Sequence, residues 1–319
     1  MSAFVVNFVL SVLIILSLTA NGLMLFALRR QKKWRKPCNR MKNVFLTNLA
    51  LIDLAQTSLG YGVQLGDSLT STYSLRFCEV SGFFITMCGL VGITIYTMLS
   101  IDICLHICLP FKSLSYDYRL PHGLSFIGLV YGSIWAAAPF FGLDGYVNEG
   151  KRSCSLKWTP DTATGKSYLI SLFVACFAVP VAIIFASFAC IHFTLRRSWQ
   201  HRNSELSATS TASTDKYHRV RRANFRLCFI MASAFLASWT PYAAVAFYII
   251  FAGYDAVPES LLITSAFMAK CSALINPAMY FYVQPEARKI VLNLCRRISG
   301  RSKRVIIIIF IAIRRCNID

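Results

Sequence analysis

Lys270 stands in the run Ala266-Phe267-Met268-Ala269-Lys270-Cys271-Ser272-Ala273, about midway along an apolar stretch at 260–283. An ammonium at the centre of a membrane-spanning helix costs roughly 2.5–3.5 kcal/mol on insertion scales, and this one is too far from either end to reach water easily. A charge so placed implies a partner or a reaction. Two chemistries fit it. One is an ion pair with a buried carboxylate. The other is condensation with an aldehyde to give a Schiff base, because burial favours the neutral, nucleophilic amine. A structural lysine facing a wet cavity is the plainer alternative. Only 14 Asp and Glu are present to answer the charge. Glu79 and Asp67, near the outer ends of their segments, are candidates, with solvated helix-end carboxylates as their plainer reading.

Other familiar chemistry is absent. There is no Gly-rich phosphate loop, zinc spacing or nucleophile elbow, and the five His show no pair at metal-ligand spacing. Neither a metal nor a catalytic residue is expected. Of the 12 Cys, Cys88, Cys104, Cys108, Cys176, Cys190, Cys228 and Cys271 sit in apolar runs, where Cys behaves as a small hydrophobe. Cys38, Cys295 and Cys316 would face a reducing cytosol. Cys78 and Cys154 fall together at the outer face and are the one plausible disulfide.

The elements that must hold Lys270 follow from hydropathy. With 56% hydrophobic and 15% charged residues, the chain is too apolar for a soluble domain of its length. Its apolar residues fall into seven runs, at about 3–28, 44–65, 78–109, 123–143, 168–195, 225–252 and 260–283. Each is long enough to cross a bilayer as a helix. The predicted fold is all-α, a bundle of seven transmembrane helices. The first run reads as a signal anchor: it is too long for a cleaved signal peptide, lacks a basic n-region, and is followed at once by Arg29 and Arg30.

The net charge of +19 raises the question of nucleic acid. Placement answers it. With the N-terminus extracellular, every Lys and Arg lies on the cytoplasmic side except Arg76, Lys151, Arg152, Lys157, Lys166 and Lys270. That asymmetry is the positive-inside rule, and it points to anionic lipids of the inner leaflet rather than nucleic acid. The inner loop at 204–214, rich in Ser, Thr and Ala, has little to bury and is expected to be mobile. Residues 1–284 form the receptor body and 285–319 an amphipathic helix with a cytoplasmic tail. Pro285 starts that helix, Ile290, Val291 and Leu294 make its apolar face, and Cys295 is a candidate for palmitoylation against a plain free thiol. The tail segment at 305–313 is too short to span a membrane and is left open between membrane contact and a β-prone segment.

Ordered motifs accompany Lys270. Asn276-Pro277-Ala278-Met279-Tyr280 closes the seventh span, Ser238-Trp239-Thr240-Pro241-Tyr242-Ala243 lies in the sixth, and Asn48-Leu49-Ala50-Leu51-Ile52-Asp53 in the second. Asn21-Gly22, Trp135, Pro180, Cys78 and Cys154 complete the series. From end to end this resembles the rhodopsin-like G protein-coupled receptors; the run around Lys270, WTPYA and YVNEGKRSCSLKW narrow the resemblance to opsins, with ciliary, encephalopsin-like and cnidarian types in view. The resemblance implies retinal, 11-cis or all-trans, bound covalently to Lys270 in a multi-pass protein of the cell membrane. Trp239 would pack on the polyene, and Tyr242, Ala243, Phe177, Cys176, Thr86, Gly89 and Ala266 would line its pocket. It further implies a heterotrimeric G protein, arrestin and a receptor kinase as partners, and activation roles for Asp53, Asp102, Asn276, Pro277 and Tyr280.

The resemblance has gaps. Vertebrate visual opsins carry Glu three residues after the cysteine of the third helix, where this chain has Ser81, so Glu149 is the better counterion candidate, although its spacing to Cys154 is one residue short. At the inner end of the third span the family reads Asp-Arg-Tyr or Glu-Arg-Tyr; here it is Asp102-Ile103-Cys104, and Phe188 replaces a Tyr of the fifth span. Asp102, without that Arg, is expected either to pair with the basic third loop or to be partly protonated. Retinal capture is expected to survive, while coupling is open to a second reading as a retinal photoisomerase or an opsin with unorthodox coupling. A microbial-type pump and a receptor without light function are further alternatives.

Overall fold

The structure, a computed structural model, describes residues 3–31, 37–70, 74–109, 119–149, 153–204 and 212–298. Helices α1 (Ala3–Arg30), α2 (Pro37–Ala55), α3 (Gly62–Thr70), α4 (Leu75–Cys108), α5 (Leu120–Ala137), α6 (Ala163–Phe173), α7 (Val179–Ser204), α8 (Ala212–Ala252), α9 (Glu259–Val283) and α10 (Pro285–Ile298) account for most of them. A π-turn at Gln56–Tyr61 joins α2 to α3, and another at Val174–Ala178 joins α6 to α7, so each pair makes one crossing. The seven crossings are therefore α1, α2–α3, α4, α5, α6–α7, α8 and α9.

Six of these are long and apolar enough, by length and composition, to span a membrane. The second is interrupted by its π-turn and buries Asp53, Gln56, Gln64 and Asp67 inward. Its polarity is directed into the bundle, away from lipid. Conversely, Phe126, Ile127, Ile134, Phe185 and Phe193 point outward and are exposed. In water such a belt would be a liability; against acyl chains it is the required surface.

The helices run further than hydropathy predicts. The fifth crossing continues to Ser204 and the sixth begins at Ala212, so the two ends of the stretch at 204–214 are helical, while residues 205–211 lie outside the described residues. Hydropathy reads bilayer thickness, whereas a helix has no reason to stop at the interface while its backbone groups stay paired. The tail segment at 305–313 also lies outside the described residues. Pro285 opens α10 as predicted, with Ala287 and Val291 buried on one face and Glu286 and Lys289 exposed on the other.

Two local features carry the chain over the outer end. Strands β1 (Tyr146–Glu149) and β2 (Ser153–Leu156) pair antiparallel, with Tyr146 opposite Leu156 and Glu149 opposite Ser153. The Cys78–Cys154 disulfide fixes β2 to the start of α4. Gly82 of α4 makes room for the hairpin, since a Cβ there would lie 2.5 Å from Tyr146 Cδ1. Tyr146 is buried against the bundle and donates to the Ala136 carbonyl at 2.7 Å.

Candidate functional site

Beneath the hairpin lies an apolar cavity with Lys270 in its wall. Lys270 is 6% exposed, midway along α9. Its Nζ lies 5.9 Å from the centroid of the Tyr61 ring, a distance at which an aromatic face attracts a cation. The elements deliver the wall residues in ways their sequences explain. In the second crossing, Thr57 and Ser58 donate back to the carbonyls of Asp53 and Leu54, competing with the helix ladder where the π-turn begins. That turn re-aims Tyr61 into the cavity. In the fifth crossing, Pro180 has no N–H to donate one turn back, and the π-turn just before it presents Cys176 and Phe177. Tyr131 donates to the Ala175 carbonyl within that turn at 3.1 Å.

All eight residues expected in a pocket, Trp239, Tyr242, Ala243, Phe177, Cys176, Thr86, Gly89 and Ala266, line this cavity together with Lys270. Trp239 lies flat against Gly89, where a Cβ would come within 2.6 Å of Trp239 Cη2. The indole N–H donates to Ser272 Oγ at 3.0 Å, two residues from Lys270, so the aromatic wall and the amine are tied to the same turn of α9. Trp158 donates to Tyr242 Oη at 3.2 Å, coupling the outer lid to α8. Tyr61, Trp158, Phe235, Phe247 and the β2 residues Ser155 and Leu156 also line the cavity and were not expected from sequence. Phe235, one turn before Trp239, was open to detection from its spacing, and Trp158 from its oddity in a polar outer loop. Tyr61 needed the π-turn and gave no signal.

The three carboxylate candidates stand on different elements. Asp67 is buried at the end of the second crossing, where its Oδ1 accepts the Ser74 N–H at 3.0 Å. Glu79 is half-buried, next to the disulfide. Glu149 ends β1, and its backbone pairs with Ser153. Among the described residues lining the cavity there is no Asp or Glu.

A second polar centre lies inward of the cavity. Pro277 cannot donate to the carbonyl of Ala273, so that oxygen is free for other donors. Asn21 Nδ2 takes it at 2.8 Å and Ser17 Oγ at 3.2 Å. Asn276 Nδ2 donates to Asp53 Oδ2 at 2.9 Å, and Tyr96 Oη donates to Asn276 Oδ1 at 2.9 Å. Asp53, Asn276 and Pro277 thus join four crossings through one buried network. Tyr280 is held separately, accepting from Gln31 Nε2 at 2.8 Å.

At the inner end the near neighbour of Asp102 among the described residues is His106, one turn along the same helix. His106 Nδ1 is 3.1 Å from Asp102 Oδ1 and 2.8 Å from the Asp102 carbonyl, and the angles favour the carbonyl as the hydrogen-bond acceptor. Ile103 is buried and Phe188 stacks edge-on with Phe225 and Phe229, so apolar packing fills this end. Cys295 packs partly against the inner core, and burial pushes its thiol up.

Residues 20–280 match the model of the 7 transmembrane receptor (rhodopsin family). The chain is 27% identical over 292 residues to pinopsin of Columba livia, covering 89% of this chain and 79% of that protein. It is 29% identical over 292 residues to green-sensitive opsin-3 of Psalidodon fasciatus, covering 88% and 77%. The crystal structure of squid rhodopsin superposes with a TM-score of 0.81 at 22% identity, over 96% of this chain and 89% of that one, which speaks to the fold.

Proposed function

The chain belongs to the rhodopsin family of seven-transmembrane receptors, and on that premise we propose that Lys270 holds retinal as a Schiff base in the cavity beneath the hairpin. Within the family it is a photoreceptor opsin, a G protein-coupled receptor and a multi-pass membrane protein. A retinal chromophore and G protein coupling belong to that class in general. The observation that carries the covalent assignment is a buried amine opening on an apolar cavity that is also lined by an indole packed against a glycine.

Retinal, when bound, supplies light absorption and a change of shape on isomerisation. The chain supplies the rest. Lys270 offers its amine where water is excluded by the lid of β1 and β2. Gly89 and Ala266 leave room for a long apolar ligand, and Trp239 and Phe177 give it flat walls. Tyr242, Ala243, Cys176 and Thr86 complete the enclosure. Pro241, two residues from Trp239, removes a backbone hydrogen bond from α8 and makes a pivot there. Asp53, Asn276 and Pro277 relay strain from the Lys270 turn towards Tyr280 and Asp102. Glu149 is the proposed counterion, with Glu79 and Asp67 as alternatives.

In this reading the chain is a receptor without catalytic residues, with its N-terminus extracellular, at the cell membrane. Its receptor body is 1–284; the amphipathic helix that opens at Pro285 lies along the inner leaflet against anionic lipid, with Cys295 a palmitoylation candidate, and a cytoplasmic tail completes 285–319. Arrestin and a receptor kinase join the G protein as partners. The photoisomerase alternative drawn from Ile103 is not favoured, since the relatives carry opsin names.

Reconstitution with 11-cis-retinal followed by borohydride tests the attachment. A reduced adduct is expected on the peptide that contains Lys270; its absence there removes the photopigment reading. Glu149→Gln is expected to move absorption strongly to the blue, and an unchanged spectrum shifts the counterion to Glu79 or Asp67.

A further inference from the structure

Three thiols that look unrelated in the sequence meet at the inner ends of the third and fifth crossings. Cys104 and Cys108 stand one turn apart on α4, with their sulfurs 3.8 Å apart. Cys108 Sγ lies 3.2 Å from Thr194 Oγ1 of α7. Cys190 stands one turn before Thr194 on the same face of α7, as Cys104 stands one turn before Cys108 on α4. The Cys108–Thr194 contact and the packing of the two helices therefore bring Cys104 and Cys190 to the same level. Cys190 is exposed and the other two are half-buried, so the group opens towards the membrane interface. None of the three lines the Lys270 cavity. Among the described residues no His, Cys, Asp or Glu group is arranged to hold a metal. The chemistry left to this cluster is that of the thiols themselves.

We propose that the cluster is a reversible oxidation site for hydroperoxides, whose product is a Cys104–Cys190 disulfide joining α4 to α7. One thiol attacks the O–O bond of ROOH, becomes a sulfenic acid and releases ROH. The second thiol attacks the sulfenic sulfur, the S–S bond forms and water leaves. Two thiols lose two electrons in all, and the hydroperoxide is reduced to ROH and water.

Geometry selects the partner. Cβ atoms four residues apart on a helix are about 5–6 Å apart, whereas a disulfide needs about 3.5–4.5 Å. A Cys104–Cys108 bond would have to unwind α4. A bond across to α7 needs only side-chain rotation and a small approach of two helices already packed together. On the cytosolic side a disulfide is transient and regulatory rather than structural. This one would fasten α4 to α7 beside Asp102 and Ile103, at the end of the bundle opposite the cavity.

The test uses the full chain in lipid nanodiscs, treated with hydrogen peroxide or with cumene hydroperoxide. Free thiols are then blocked with N-ethylmaleimide, and non-reduced peptides are read by mass spectrometry. The expected product links Cys104 to Cys190, leaves Cys108 alkylated and is reversed by dithiothreitol. It should be absent from Cys104→Ser and Cys190→Ser and retained in Cys108→Ser, with the Cys78–Cys154 link intact in every sample as the check on folding. A stronger response to cumene hydroperoxide assigns the source to oxidised lipid; an equal or stronger response to hydrogen peroxide assigns it to the aqueous side. A Cys104–Cys108 link, loss of the cross-link in Cys108→Ser, or full alkylation of all three thiols after either peroxide overturns the proposal.

Discussion

Trp239 and Ile103 occupy opposite halves of the bundle, and their surroundings differ in kind. Around Trp239, side chains from α4, α8, α9, both π-turns and the outer hairpin close on one cavity, and the indole is fixed by Gly89 and Ser272. Around Ile103 that end of the bundle holds apolar rings and thiols, with His106 beside Asp102 and Thr194 beside Cys108. The outer half is specified by shape, which many apolar residues supply jointly. The inner half in this family turns on one charged residue, and here that residue is an isoleucine. On the proposed function, capture of a ligand and communication with a partner are expected to be separable in this molecule.

The largest expected effect breaks the outer half alone. Lys270→Ala should abolish pigment formation with 11-cis-retinal, measured by absorption, while the inner thiols react with peroxide as in the wild type. Gly89→Ala comes next. The added methyl must displace Trp239 from 2.6 Å, and overpacking of this kind costs about 1–3 kcal/mol. Pigment yield or thermal stability should fall accordingly; an unaltered pigment would mean that the indole is free to move.

Truncating the link between the halves is expected to cost a similar or smaller amount. Asn276→Ala leaves Asp53 Oδ2 and Tyr96 Oη without their partner, a loss of roughly 1–3 kcal/mol for buried polar groups. A several-degree fall in Tm with an unchanged absorption maximum is expected. Ile103→Arg sharpens the comparison from the other side. It should raise light-driven nucleotide exchange without moving the spectrum, and no rise would place the coupling deficit elsewhere than at residue 103.

The smallest effect lies at the outer surface. Burial raises the Asp144 carboxyl, and Lys157 at 3.9 Å opposes the rise. A carboxyl raised on folding binds more protons in the native state, so its contribution to stability falls as pH climbs from the unfolded value through the folded one. Asp144→Asn, which tolerates the positive φ of 68° at this position, should flatten that dependence by a fraction of a kcal/mol. Thermal melts across the acid range would show it.

Part of the site was legible from single residues that carry their own signal, while Phe177, Cys176, Thr86, Gly89 and Ala266 came only through the resemblance. Lys270 is conspicuous in an apolar run, Cys78 and Cys154 are the cysteines that fall together at the outer face, and the motif around Trp239 marks α8 by its proline. What escaped had its signal divided between distant segments. His106 stands four residues from Asp102, a spacing that puts the two on one face of α4 but carries no signal of its own in the sequence. Tyr61 depends on an extra residue per turn, which no hydropathy pattern records. Cys190 looks like any lipid-side cysteine until α7 is set against α4.

The sequence by itself determined seven apolar crossings, the charge asymmetry across them, and an amine midway along the last of them. Those properties follow from transfer energies and periodicity, which are local. Only the tertiary structure decided how each helix is rotated about its axis: which carbonyl Pro277 releases to Asn21, which rings the π-turns aim at Lys270, and which sulfurs meet. Rotation is set by packing between neighbours, where small residues and one-residue bulges outweigh hydropathy, because lipid and protein interior are nearly equivalent solvents for an apolar side chain.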